Sequence, residues 1–442
     1  MSSVRIGAFV ARSRARVENS PMLKRLLQAT AWSLAGVAVS RAALIVASIV
    51  AARWLDRESF GALGIIQSTL GMFQLVANLG LGLTATKFVA ELRQTDPARA
   101  GRIVGMSQLA AFVLGTVTAL AVAVAAKPLA DSALAQPGLA RVLALSAPLV
   151  FFGSIAGTQL GILAGFGAFR RLAAVQAVSA LGTLVFVVTG VVEFGLNGAI
   201  GGLIAAIAVQ AFAGWIAVRH EAKSQGVRID HVGGLRETGV IGRFSIPATL
   251  ASLVATPAVW ASQAILVRNP GGLGDMAVLN AANQWFGVMS VLPMILAQPS
   301  VSILAERYSS GDRAGAGRLI MGVMKLSAVA SGTLALVFAA SSPLIMRLYG
   351  PVYAEHANVL NVSLLAGFLF VVQSPVGNLV VASGRMWLGL AMNVAWGAAL
   401  LGAAFMLGGY GALGIAAARA IAYLLHLAWS FGAMLVLLRK AV

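Results

Sequence analysis

The feature that most constrains this chain is its punctuation. Apolar runs of about 20 residues, separated by short polar breaks, continue from residue 28 almost to the end. A hydrocarbon core of about 30 Å takes about 20 helical residues to cross, so each run is long enough to span a bilayer. A transmembrane β-barrel would show alternating segments of about 10 residues instead, and these are absent. Composition agrees, with 59% hydrophobic and only 10% charged residues, against about 25% charged in soluble domains. The pattern predicts an all-α polytopic membrane protein of twelve transmembrane helices. The first six lie near 28–52, 60–83, 103–126, 140–164, 172–192 and 196–218. The second six lie near 242–267, 276–303, 319–343, 357–383, 386–408 and 411–437.

A net charge of +18 suits either nucleic acid or a topology signal, and the distribution decides. With the N-terminus inside, cytoplasmic segments hold 24 of the 32 basic residues. Outer segments hold six: Arg53, Arg57, Lys127, Arg141, Arg268 and Arg347. Arg41 and Arg419 fall within spans. Such a bias predicts both termini in the cytoplasm and removes nucleic acid as a partner. Residues 1–27, with Arg12, Arg14 and Arg16, read as a basic cytoplasmic arm lying on anionic headgroups, not as a cleaved signal. Cysteine is absent, so no disulfide or thiolate metal site is expected.

One polar break is written twice. "AELRQTDPARAGR" at 90–102 returns as "AERYSSGDRAGAGR" at 305–318. Asp96, Gly101 and Arg102 match Asp312, Gly317 and Arg318 at an offset of 216. Six spans per repeat is an even number, so both copies share one orientation. The expected organisation is an N-lobe at 28–218, a cytoplasmic linker at 219–241 and a C-lobe at 242–442. Two parallel six-helix lobes are the plan of alternating-access transporters.

The stretch "VAARWLDRESFGALGIIQSTLGMFQLVANLGLG" at 50–82 carries a more specific signal. It has Arg53-Trp54-Leu55, the acidic turn of Asp56 and Glu58, Phe60-Gly61, and a closing Asn78-Leu79-Gly80-Leu81. This resembles the N-terminal signature of the Wzx-type polysaccharide flippases, within the superfamily of multidrug, oligosaccharidyl-lipid and polysaccharide exporters. Asp56 stands where that family usually has Gly. The resemblance implies moving an undecaprenyl-diphosphate-linked oligosaccharide from the inner to the outer leaflet of a bacterial inner membrane. It also implies a cavity between V-shaped lobes, and polysaccharide polymerase machinery as a downstream partner. No catalytic residue, metal or cofactor is expected. A proton, a sodium ion or the membrane potential is the expected drive.

Candidate cavity residues follow from what is expensive in a membrane. Arg41, near the centre of span one, costs about 2.5–3.5 kcal/mol on insertion scales, and no span has a central carboxylate to pair with it. It suits a pyrophosphate; capping backbone carbonyls is the structural alternative. Arg419, Tyr423, His426 and Ser430 share one face of span twelve, either a lumen stripe or a polar seam inside the lobe. Gln67, Gly71, Gln74 and Asn78 on span two, and Asn280, Asn283, Gln284 and Gly287 on span eight, place amides on equivalent helices. These suit sugar hydroxyls or helix contacts. Arg53 is a further candidate at the outer rim. Gly153, Gly157, Gly161 and Gly165 form a small-residue seam for packing inside the lobe. Pro247, Pro257, Pro293 and Pro299 are candidate bends in spans seven and eight.

Three other functions compete. A drug exporter of the same superfamily would favour a buried carboxylate over a buried Arg. A lipid II flippase usually has two further spans. A membrane glycosyltransferase or polymerase needs catalytic groups in long outer loops, and every outer connection here is short.

Overall fold

Span by span, the helices fall where the apolar runs predict. The computed structural model describes residues 21–240, Ser245 and 253–438, with side chains apart from those of 21–35, 294, 295, 298, 299 and 302. The basic arm before Pro21 and Pro247 therefore lie outside the described residues, as does the Pro299 side chain.

The first span is the helix Pro21–Trp54. The second is broken into Arg57–Asn78 and Leu81–Leu92, because Leu79 and Gly80 adopt left-handed backbone (φ 36° and 62°) between them. It runs nine residues beyond its expected end at 83, so the start of the first polar break is helical. The third and fourth spans are Pro97–Pro128 and Ala140–Leu145 followed by Pro148–Gly165. The fifth begins as Phe169–Gly182 and doubles back into the sixth within Val188–Ser224. The sixth continues to Ser224, so the first residues of the expected linker extend that helix. The second half follows with Ala255–Val267, then Gly272–Met289 joined to Val291–Ser309. The last four are Arg313–Ala340, Ala357–Ala382, Met386–Leu407 and Gly411–Leu438. Eight apolar segments among the described residues are long enough to cross a membrane. Two of these, Phe169–Ser224 and Met386–Leu438, double back and hold two spans each; Ala255–Val267, a shorter apolar helix, is the described part of span seven, and the joined helices Gly272–Met289 and Val291–Ser309 stand at span eight.

The repeat is visible in how the helices pack. In the first lobe, span one packs on five, two on four, three on four and four on six; in the second, seven packs on eleven, eight on ten, nine on ten and ten on twelve. Between lobes, two meets eight, while one meets eight and seven meets two. This is the pairing of a two-fold pseudo-axis running between spans two and eight.

Local chemistry repeats with it. The Asp96 carboxylate accepts the Arg99 N–H (2.9 Å) and caps span three; Asp312, 216 residues on, accepts from Gly315 (2.7 Å) and caps span nine. An N-cap aspartate supplies a partner for one of the four unpaired N–H groups at a helix start. A second pair at the same offset was not singled out in the sequence. Gly195 and Gly411 turn the chain between the last two spans of each lobe, at φ 57°, ψ −135° and φ 62°, ψ −142°. Only glycine adopts that backbone region freely.

The apolar core shows where the lobes join. At the end poor in basic residues it is one body, with Phe60, Leu134 and Ile200 from the first lobe packed with Met276, Tyr349 and Leu400 from the second. At the other end it is two bodies, one per lobe: Ile103, Ile162 and Val218 in one, Ile320, Leu379 and Leu437 in the other. The linker joins the first of these. Asp230 donates its N–H to the Gly101 carbonyl (3.3 Å), and Glu237 pairs with Arg99 and Arg102 at 3.3 and 3.2 Å.

Candidate functional site

At the charge-poor end, where the two cores merge, the signature residues themselves bind the lobes together. The Arg53 guanidinium donates to the carbonyls of Leu348 (2.6 Å) and Arg347 (3.0 Å), at the C-terminal end of the helix Ser342–Tyr349 in the second lobe. A cation there meets carbonyls of the last helical turn, one of which also accepts the Gly350 N–H (3.1 Å), and the negative end of the helix dipole. Arg57 donates to the Gly274 carbonyl (2.9 Å) and faces Asp275 at 3.7 Å. Asp56 caps the helix that carries Arg57, accepting the Ser59 N–H at 2.9 Å, and its hydrogen bonds to Ser59 hold its carboxyl below the usual carboxylate range. Phe60 is fully buried against Tyr349 and Tyr353, and burial pushes the Tyr353 hydroxyl up to about 12. Gly61 lies so close to the Leu273 carbonyl that any Cβ would overlap it. Gln136 donates to the Val267 carbonyl (2.8 Å), Arg268 to that of Ser132, and Trp260 to the Thr69 hydroxyl (3.0 Å). Arg53 is thus engaged in a clasp between lobes.

Below the clasp, span two and span eight bring amides together. Gln67 from the first lobe lines a cavity of about 30 Å³ with Asn280 and Gln284 from the second, about the room of one water. Beside it Gly64 packs on Asn280, where a Cβ would sit 2.9 Å from the amide carbon.

Arg41 lies where the two lobes meet. Its guanidinium approaches span eight so closely that a Cβ on Gly287 would lie 3.0 Å from Nη1. It is half-buried and makes no hydrogen bond or ion pair among the described residues. Span eight therefore leaves a glycine-sized space for a cation donated by span one.

The other candidates are placed differently. Arg419 is buried at 5% exposure. It donates from Nη1 to the Asn283 Oδ1 (2.7 Å) and lies 5.2 Å from the centre of the Phe286 ring. Tyr423 packs among Phe286, Phe370 and Trp396 at 5.2–6.2 Å. His426 Nδ1 faces Gln373 and the Ser430 hydroxyl, the latter at 3.0 Å. The stripe on span twelve is thus turned towards spans eight, ten and eleven of its own lobe. Gln74 donates to Asn78 (3.1 Å), and both lie against the glycine seam of span four; a Cβ on Gly153 would overlap Gln74. Gly161 and Gly165 of that seam press on the span-two backbone, the intralobe packing expected of them. Of the predicted site residues, Arg41 and Gln284 share the inter-lobe space; Arg419, Tyr423, His426 and Asn283 share the second lobe's interior, and Gln74 and Asn78 the first's. No cluster of residues able to hold a metal ion occurs among the described residues.

Known proteins place this geometry. A family model described as a polysaccharide biosynthesis protein matches residues 26–304. No curated protein matches the sequence. Among solved structures, the chain is similar to the inward-facing conformation of a multidrug resistance MATE family transporter of the MOP superfamily. The TM-score is 0.74 at 15% identity, covering 93% of this chain and 100% of that one. The outward-facing conformation of such a transporter gives 0.67 at 18% identity, covering 94% and 97%. A MOP superfamily transporter from Pyrococcus furiosus, described as having a binding pocket of reverse polarity, gives the same four values. At these identities the likeness is one of fold.

Proposed function

Because the chain belongs to the polysaccharide biosynthesis protein family, we propose that this transporter moves a lipid-linked oligosaccharide across the bacterial inner membrane, from the cytoplasmic to the outer leaflet. The observation that carries the reading is Arg41. It is a guanidinium between two lobes, with no partner among the described residues and with space kept for it by Gly287. A pyrophosphate offers what that fork lacks, two or more charge-assisted acceptors in one plane. The sugars would then sit in the cleft against the amides of spans two and eight, while the polyprenyl tail stays in lipid between the lobes.

The end of the cleft supports the direction. Basic residues concentrate at the end where the core is divided, which the positive-inside rule makes cytoplasmic. A cleft open there and clasped at the outer end is ready to receive substrate from the inner leaflet. The closer superposition on an inward-facing structure supports the same state. Outward opening then requires the Arg53, Arg57 and Arg268 contacts to part, delivering the product to the side where a polymerase would use it. A proton, a sodium ion or the membrane potential is the proposed drive. The same fold carries multidrug transporters, but a cation in the cleft disfavours cationic drugs as cargo.

Cells lacking the chain and supplied with Arg41→Ala test this reading. With protein level matched to wild type, we expect surface polysaccharide to fall at least tenfold and the lipid-linked precursor to accumulate. Normal export from that variant would overturn the assignment.

A further inference from the structure

A second cavity lies away from the cleft, inside the first lobe at its cytoplasmic end. It has a volume of about 290 Å³ between spans three, four and six, with His231 of the linker at its edge. Most of its wall is apolar, from Leu109, Phe112, Ile155 and Trp215. Three polar atoms on that wall are nevertheless buried without a hydrogen-bond partner: Gln108 Nε2, Thr158 Oγ1 and Gln159 Oε1. Thr158 and Gln159 are 1% and 3% exposed. A buried polar group left unpaired costs about 1–3 kcal/mol; Gln159 Oε1 rests against Gly214, where a Cβ would lie 2.4 Å from it, so it is the two donors, Gln108 Nε2 and Thr158 Oγ1, that point to a ligand accepting from them.

Their chemistry restricts the ligand. Gln108 and Thr158 offer N–H and O–H donors, Gln159 offers a carbonyl acceptor, and no carboxylate or lysine lines the space. His231 Nε2 lies 3.0 Å from Gln108 Oε1, which holds the Gln108 amide in place. A neutral ester with an apolar chain fits such a wall, its carbonyl accepting from Gln108 and Thr158. Depth restricts it further. Gln108 lies six residues beyond Arg102, the last charged residue of span three before Lys127, and Gln159 six before the helix end at Gly165, about 9 Å along each helix. That is where the glycerol esters of a bilayer lie, at the boundary of headgroups and acyl chains. Trp215 sits at the same level, and the Arg219 guanidinium lies 4.5 Å from the centre of its ring, the placing of an interfacial aromatic. One turn further out, Arg219, Lys223 and Arg228 line a shallow basic hollow.

We propose that the first lobe binds one membrane glycerophospholipid, its glycerol ester and upper acyl chain in the cavity and its phosphate at Arg219. Because His231 and Asp230 tie the linker to this wall and to Gly101, the bound lipid holds the inter-lobe linker on the first lobe. This site is independent of the substrate proposed for the cleft.

The test uses the full chain in vesicles carrying a photoactivatable phosphatidylglycerol, with cross-linked peptides identified by mass spectrometry. We expect adducts concentrated in residues 105–115, 152–160 and 212–219. Ile155→Trp, which fills the cavity, should reduce them at least fivefold, as should the near-isosteric Thr158→Val with Gln159→Leu if the first variant folds poorly. Arg219→Gln should reduce labelling by phosphatidylglycerol several-fold and leave a photoactivatable diacylglycerol unchanged. Labelling that is equal in the filled variant, or spread evenly over lipid-facing helices, would overturn the site. Stronger labelling there by a photoactivatable polyprenyl phosphate at the same mole fraction would also overturn it, by assigning the cavity to the substrate's tail.

Discussion

Two arginines lie inside the membrane-spanning helices, and their surroundings are opposite. Arg419 is buried, bonded to Asn283 and faced by Phe286, all within one lobe. Arg41 stands between the lobes beside a glycine, half-buried, without a partner among the described residues. A cation costs about the same to insert in either place. What differs is the company: at Arg419 the protein supplies Asn283 and the Phe286 ring, leaving only Nε unpaired, and at Arg41 no described residue supplies an acceptor. The first is therefore part of the second lobe's packing, and the second is part of the proposed binding site.

This difference predicts opposite responses to the same substitution. Arg419→Ala leaves the Asn283 amide unpaired and a hole beside Phe286, a loss of about 2–4 kcal/mol. Thermal unfolding in detergent should fall by several degrees, and export should fall with the amount of folded protein. A variant of wild-type stability that had lost export would make Arg419 a binding residue after all. The clasp above Arg41 comes next. Arg57→Ala removes a charge-assisted bond to Gly274 and the pair with Asp275, about 1.5–3 kcal/mol from the state in which this end is clasped. The chain has no cysteine, so Gln67→Cys gives a single reporter at the closed end of the cleft. An impermeant maleimide should label it several-fold faster when Arg57 is replaced, and unchanged labelling would show that the clasp does not hold the cleft shut.

Gly287→Val isolates Arg41 without touching its charge. The new Cβ would lie 3.0 Å from Nη1, so the guanidinium must move. We expect roughly a tenfold loss of export, about 1.4 kcal/mol, with little change in unfolding temperature. The smallest effects belong to the caps. Asp96→Ala and Asp312→Ala should each cost about 1 kcal/mol of stability. Equal losses would confirm that the two elbows are one device used twice, whereas a loss confined to one would break the equivalence of the lobes.

Helix positions and the two-fold plan were readable because both rest on local signals, apolar length and an aspartate at a helix start. The site was less readable, because a helical face shows which residues share a side and not which helix covers it. Tyr423 and His426 do share a face, but Phe286, Phe370 and Gln373 cover it. Gln74 and Asn78 looked equivalent to the amides of span eight, yet the glycines of span four draw them into the first lobe. Arg53 carries a family signature whose use emerged only when the Ser342–Tyr349 helix, from the far half of the chain, was seen beneath it. The Gly195 and Gly411 pair was visible at the 216-residue offset, but glycine is so common here, 49 residues, that its matches carried little weight.

The central claim is that Arg41 holds the charged group of the cargo. It is tested most directly with purified protein in vesicles, by following transfer of a fluorescent lipid-linked oligosaccharide between leaflets for wild type, Arg41→Lys and Arg41→Ala. We expect Arg41→Ala to lower the rate at least tenfold, and Arg41→Lys to restore part of it, because lysine keeps the charge and loses the planar fork. Transfer by Arg41→Ala at the wild-type rate would contradict the account.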